Sequence, residues 1–143
     1  MTKPKKEELE SSYKGDAFTV IHCNGALKSF EKALARVHPA NKQRRMTRNI
    51  ISQIKRLSNG DKLSREHFPK EAALPRLAGQ TSTEHFNALK RMPIRGYCWK
   101  SQTRPNTYFI SHYIYKNYND LSSDETKKVI NNWRRIEENG DER

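Results

Sequence analysis

The chain has 143 residues, enough for one domain around a single core and short for two. Lys plus Arg number 28 against 16 Asp plus Glu, a formal net charge of +12, which draws polyanions by long-range attraction and counterion release. No apolar stretch approaches the roughly 20 residues that span a bilayer, and MTKPKKEELE has no apolar signal segment, so no membrane role and a soluble, cytoplasmic protein are expected.

Residues 1–15 place Lys3, Lys5, Lys6 and Lys14 among Glu7, Glu8 and Glu10 with little to bury, and read as a mobile or loosely docked charged arm. One domain is expected over 16–143. AFTVIHC, residues 17–23, has the β-branched and aromatic content of a strand. Asn24 then stands as a helix cap before Leu27, Phe30, Leu34 and Val37, and Pro39 ends that helix. A second helix starts near Asn41, aligns Met46, Ile50, Ile54 and Leu57, and stops at Gly60. Together, over 25–37 and 42–57, they predict an αα hairpin packed antiparallel on a sheet.

Residues 61–85, with Pro69, Pro75 and Gly79, read as a long connection or insertion. From Phe86 the pattern changes to FNALKRM, IRGYCWK and TYFISHYIYK, separated by turn formers, which predicts antiparallel strands with the last one central. Ser122 and Glu125 form a capping box that opens a closing helix carrying Val129, Ile130, Trp133 and Ile136. The expected fold is therefore α+β: a small twisted antiparallel sheet, an N-terminal αα hairpin on it and a C-terminal helix.

The second helix carries Arg44, Arg45, Arg48, Lys55 and Arg56, and no acid falls between 41 and 57, a face suited to tracking phosphates or meeting an acidic partner. In the strand region Lys90, Arg91, Arg95 and Lys100 interleave with Tyr97, Trp99, Tyr113 and Tyr115, and cations among aromatic planes suit single-stranded RNA. On a regular strand His112 shares its face with Tyr108, Ile110, Ile114 and Lys116, opposite Phe109, Ser111, Tyr113 and Tyr115. A histidine between isoleucines suits either a buried structural group or a general base, and both readings stay open. Cys23 and Cys98 form no CxxC pair, and His22, His38, His67 and His85 lack ligand spacing, so neither a metal site nor a cofactor is expected. Phosphate-loop, dinucleotide, GxSxG and HExxH signatures are missing. Metal-free RNA cleavage remains, in which a base frees a ribose 2′-oxygen to attack phosphorus while cations stabilise the charge.

The element order and the run YFISHYIYKNYNDLSSDETKKVINNWRR resemble the RelE/ParE toxin superfamily, above all its HigB branch. There the last core strand ends in a hydrophobic, His, hydrophobic, Lys pattern, matched by Ile110, His112, Ile114 and Lys116. The resemblance spans about 17–138 in architecture and 86–136 in sequence. It implies a toxin of a type II toxin–antitoxin system that cleaves mRNA on the ribosome without metal and is neutralised by an acidic antitoxin. The resemblance matches His112 and Lys116 and places Lys90, Arg91 and Arg95 where the family carries basic residues; joined to the residue reading, the expected catalytic set is Arg95, Lys116, Tyr113, Tyr115 and His112, with Lys90, Arg91, Lys100 and the second-helix cations binding nucleic acid. The ParE branch keeps this fold but inhibits DNA gyrase, so a non-catalytic toxin or a basic nucleic-acid-binding regulator is the alternative. MPIRGYCW replaces the acid-containing start usual for that strand pair.

Overall fold

The computed structural model describes residues 7–116 and 122–143. Residues 1–6 of the charged arm, and 117–121 of the run that carries the resemblance, lie outside the described residues.

Two strands come first, β1 (Ser12–Lys14) and β2 (Thr19–His22), then α1 (Ala26–Leu34) and α2 (Ala40–Ser58). Strands β3 (Lys70–Ala73), β4 (His85–Arg91), β5 (Ile94–Lys100) and β6 (Thr107–Tyr115) follow, and α3 (Ser123–Trp133) closes through a π-helical turn, Arg134–Glu138. They build one six-stranded sheet in the order β1-β2-β6-β5-β4-β3, with β6 inside it.

Two expectations need correction. The sheet is mixed rather than antiparallel, because β2 runs parallel to β6 with Thr19 opposite Thr107 and His22 opposite Ile110. The helices do not open the fold as a hairpin: strands precede them, and each makes its closest backbone approach to the sheet, α1 to β6 and α2 to β4, β1 and β2. Both still cover one face, where Phe30 and Ala33 of α1 and Met46, Ile50, Ile54 and Leu57 of α2 meet Val20, Leu89, Cys98 and Ile110. The opposite face carries α3, whose Val129 and Trp133 pack with Ile136 on Phe86, Tyr97, Trp99 and Phe109. Strand β5 is buried from Ile94 to Trp99 because both layers cover it.

Local chemistry sets the element ends. Asn24 is not the cap of α1: that position belongs to Gly25 in a left-handed conformation, φ 88°. Pro39 is the N-cap of α2, and Gly60, at φ 84°, follows its end. There the Ser58 carbonyl accepts from the backbone amides of both Ala17 and Phe18, tying the β1–β2 turn to the helix. At α3 the Ser122 hydroxyl accepts from the Glu125 amide at 3.3 Å, the expected cap. The arm is docked where it is described: Leu9 packs on the α1–α2 core and Ser12–Lys14 pairs with β2. The 61–85 connection supplies the edge strand β3.

Candidate active site at the end of the central strands

Strand β6 is not regular. Tyr97 faces His112 but Cys98 faces Ile110, so Ser111 is an extra residue on β6, a β-bulge. The bulge shifts the alternation by one. His112 therefore turns toward α3 with Phe109 and Ser111, while Tyr113 points to the α1–α2 face, where it stacks edge-on against Phe30 at 5.0 Å. The regular-strand parity that grouped His112 with Tyr108 and Ile110 is thus corrected by one inserted residue.

On the α3 side the bulge gathers a polar constellation. His112 stacks obliquely on Tyr97 at 5.4 Å. Its Nδ1 lies 2.8 Å from the Ser111 hydroxyl, which also accepts from the Asn132 side-chain amide at 2.9 Å. With the Ser111 proton directed at Nδ1, Nε2 carries the ring hydrogen and faces Glu125 Oε1 at 3.4 Å. Burial lowers the His112 pKa from its ordinary value and outweighs the opposing pull of Glu125, so the ring is neutral at pH 7. Nδ1 is hydrogen-bonded, whereas Nε2 faces the carboxylate without closing a hydrogen bond of good geometry.

Behind this pair Arg95, 2% exposed, stands 3.8 Å from the Glu71 carboxylate, which β3 delivers from the 61–85 segment. Burial raises the Glu71 pKa, opposed by the fields of Arg95, Lys116 and Lys90. Burial also pushes the Tyr97 phenol up to about 12, so it remains an O–H group beside Arg95. Arg95, Lys90, Lys116 and Glu71 thus form a compact charged cluster at the end of β4, β5 and β6.

The cluster opens on one side. A groove of about 470 Å³ runs between α1 and α3 over the end of β6, bordered by Lys32, Arg36, Tyr115, Lys116, Glu125 and Lys128. The Arg36 guanidinium lies 4.3 Å over the Tyr115 ring, and Lys128, 62% exposed, reaches to 3.6 Å from Glu125 Oε1. Among the described residues, four cations and one carboxylate line this opening, and the carboxylate is backed by a histidine.

The sequence-derived set divides on this geometry. Arg95, Lys116, His112 and Lys90 come together. Tyr115 borders the groove from the α1–α2 face. Tyr113 is buried on that face, with its phenol pKa pushed well above the usual range; it lines the inner wall of the groove but stands apart from the charged cluster. Lys100 sits at the opposite end of β5, its ammonium 5.2 Å from the Phe18 ring. Arg44, Arg45, Arg48, Lys55 and Arg56 are exposed on the outer side of α2, and Arg91 lies on the α2 face of β4. Sequence reasoning missed Glu71, Glu125, Lys32, Arg36 and Lys128. Glu125 had a signal, the capping box, but its carboxylate turns inward to His112. Among the described residues no three His, Cys, Asp or Glu side chains gather so as to hold a metal ion. In comparisons with known proteins, no family model, no curated protein and no solved structure matches this chain.

Proposed function

We propose that the protein is an endoribonuclease that cuts RNA without a metal, by 2′-hydroxyl attack, in the groove between α1 and α3. One observation carries the reading: a carboxylate, Glu125, oriented by the neutral ring of His112, stands in an opening whose other charged groups, among the described residues, are Lys32, Arg36, Lys116 and Lys128. In the proposed reaction Glu125 takes the proton of the ribose 2′-hydroxyl. The freed oxygen bonds to the adjacent phosphorus and the bond from phosphorus to the 5′-oxygen breaks. The Lys116 ammonium meets the developing negative charge and protonates the leaving oxygen, while Arg95 adds to the field from behind. The products are a 2′,3′-cyclic phosphate and a 5′-hydroxyl. Tyr115 offers a ring on which a neighbouring base can stack.

The wider reading, a RelE/ParE-like toxin acting on mRNA at the ribosome and neutralised by an acidic antitoxin, draws on the resemblance of 86–136 and on the +12 charge. A second reading, a non-catalytic toxin of the gyrase-inhibiting kind or a nucleic-acid-binding regulator, draws on the burial of Arg95 behind the groove and of Lys116 in its wall, at 2% and 3% exposure. Induction in growing bacteria with mapping of RNA ends separates them. Codon-phased cuts that disappear in Glu125→Gln support the ribonuclease; intact mRNA with blocked replication sinks it in favour of the second.

A further inference from the structure

A second concave cationic site lies on the other face of the sheet, away from the Glu125 groove. It encloses about 660 Å³ between the C-terminal half of α2, the start of the 61–85 segment and the end of β4. Arg56, Lys62, Arg65 and Arg91 border it with His67, and among the described residues lining it there is no carboxylate. Beside it Asp61 lies 4.0 Å from Arg56, where both side chains are more than half exposed and the attraction is screened. His67 and Arg91 are anchored locally: the Ser64 hydroxyl lies 3.0 Å from Nδ1 of His67, whose Nε2 is 3.4 Å from the Arg91 guanidinium. Four cations, three from the stretch 56–65 and one from the end of β4, are thus held around one cavity, against their mutual repulsion.

Two further observations define what would offset that repulsion. The wall holds Gln53, 6% exposed, whose side-chain amide donates to the Lys90 carbonyl while its Oε1 has no hydrogen-bond partner. A ligand suited to this wall brings anionic oxygens together with a hydroxyl or amino donor, as a ribonucleotide does. Positive charge also continues along α2 beyond the cavity. Arg45 and Arg48 stand one helical turn before Asn49 and Ser52 of the wall, on the same stripe as Arg56. At 1.5 Å per residue the stripe from Arg45 to Arg56 is about 16 Å long. Set against a rise of about 3.4 Å per nucleotide in a strand, that is a rail for several phosphates, not a cup for one.

We infer that this groove and the α2 stripe form a second RNA-binding surface, which holds the phosphodiester backbone of the same substrate, or of the structured RNA around it, outside the reacting groove. The inference rests on the RNA reading above and adds to it Lys62, Arg65, His67 and Gln53, as well as a division of labour between the two faces of the sheet. The 61–85 segment supplies the cations that turn a charged helix into a concave site.

The test is direct binding of a labelled 2′-O-methyl RNA, which cannot undergo 2′-oxygen attack, to the full chain at several salt concentrations. Wild type is compared with Lys62→Ser/Arg65→Ser and with Lys28→Ser/Lys127→Ser, which removes the same charge from exposed positions on α1 and α3. The groove variant is expected to bind about tenfold more weakly and to lose about 1.4 from the log–log salt slope, ~0.7 for each lost contact to a single strand. The control stays near wild type, and matched thermal melts exclude misfolding. Equal losses in the two double variants would overturn the proposal, since only net charge would then matter. Wild-type binding of inorganic triphosphate with no binding of RNA would also overturn it and leave a small-anion site. Because the probe is not cut, this result is independent of whether Glu125 catalyses: a failed cleavage assay leaves the binding difference in place, and an intact cleavage pattern does not rescue a groove that fails to bind.

Discussion

The Tyr113 hydroxyl lies 2.7 Å from Nε2 of His22, and the other ring nitrogen of that histidine faces the Glu10 carbonyl at 2.8 Å. A carbonyl can only accept, so Nδ1 carries the hydrogen, Nε2 is the acceptor and Tyr113 is the donor. One imidazole therefore bridges β6 to the docked arm, across the parallel pair that the sequence left unspecified.

Tyr113→Phe should lower stability by about 1–3 kcal/mol, the cost of leaving a buried acceptor without its partner, and leave RNA cleavage intact in the folded fraction. Urea titration beside a cleavage assay reads both. Loss of cleavage without loss of stability would return Tyr113 to the catalytic set. Gly96→Ala tests the same packing from the neighbouring strand, because its Cβ would fall 2.5 Å from the Tyr113 ring; a destabilisation of about 1–3 kcal/mol is expected.

Burial lowers the His22 pKa to about 4, against about 6.5 unfolded. Above pH 6.5 the ring is neutral in both states and the native fold keeps its full stability. As pH falls from 6.5 toward 4, the unfolded chain takes up a proton that the native ring refuses, so stability drops by about 3 kcal/mol through that window and the loss levels off below it. The lowered His112 pKa acts in the same direction. Denaturation midpoints measured between pH 7 and pH 4 check the slope, and a flat profile would contradict it.

Glu125→Gln and Lys116→Ala should each reduce cleavage by about 10²- to 10³-fold, the scale of losing one preorganised transition-state group. Tyr115→Phe keeps the ring under Arg36 and should change the rate less than about threefold, within the small effect of an exposed cation–π contact. End mapping on a defined RNA distinguishes these outcomes. A Glu125→Gln protein that cuts at the wild-type rate removes the proposed base.

His112→Gln should lower stability by about 1–3 kcal/mol, because the buried ring holds the Ser111 hydroxyl and sets its Nε2 against the Glu125 carboxylate between β6 and α3. Its effect on cleavage should follow the position of Glu125 and appear as an altered pH–rate profile. A stable, folded and fully inactive His112→Gln protein would make His112 itself a catalytic residue.

Much of the architecture could be read from periodicity and turn chemistry. The strand at 17–23, the apolar stripe of α2, the hairpins around 93 and 101–106, and the Ser122 cap all appear where local patterns place them, because local terms determine each. The parallel pairing of β2 with β6 could not be read, since it depends on contacts between segments that are remote in sequence. Nor could the Ser111 bulge: one inserted residue leaves no compositional trace, yet it decides that His112 meets Glu125 and that Tyr113 meets His22. Arg95, Lys116 and Lys90 were legible as cations on adjacent strands. Glu71 was not, because KEAA in a segment rich in proline and glycine gives little strand signal.

Thr19 pairs with Thr107, 88 positions further along the chain. This inner strand is therefore synthesised long after β2, α1 and α2, which until then have no β6 against which to close their apolar faces. Such non-local pairing slows folding and lengthens the interval in which those faces are open to other chains. Chains stopped before residue 107 should consequently stay protease-sensitive and prone to aggregate, and acquire the native helix packing only once β6 has been made. A shorter chain that is already protected would show that the α1–α2 layer closes without its central strand.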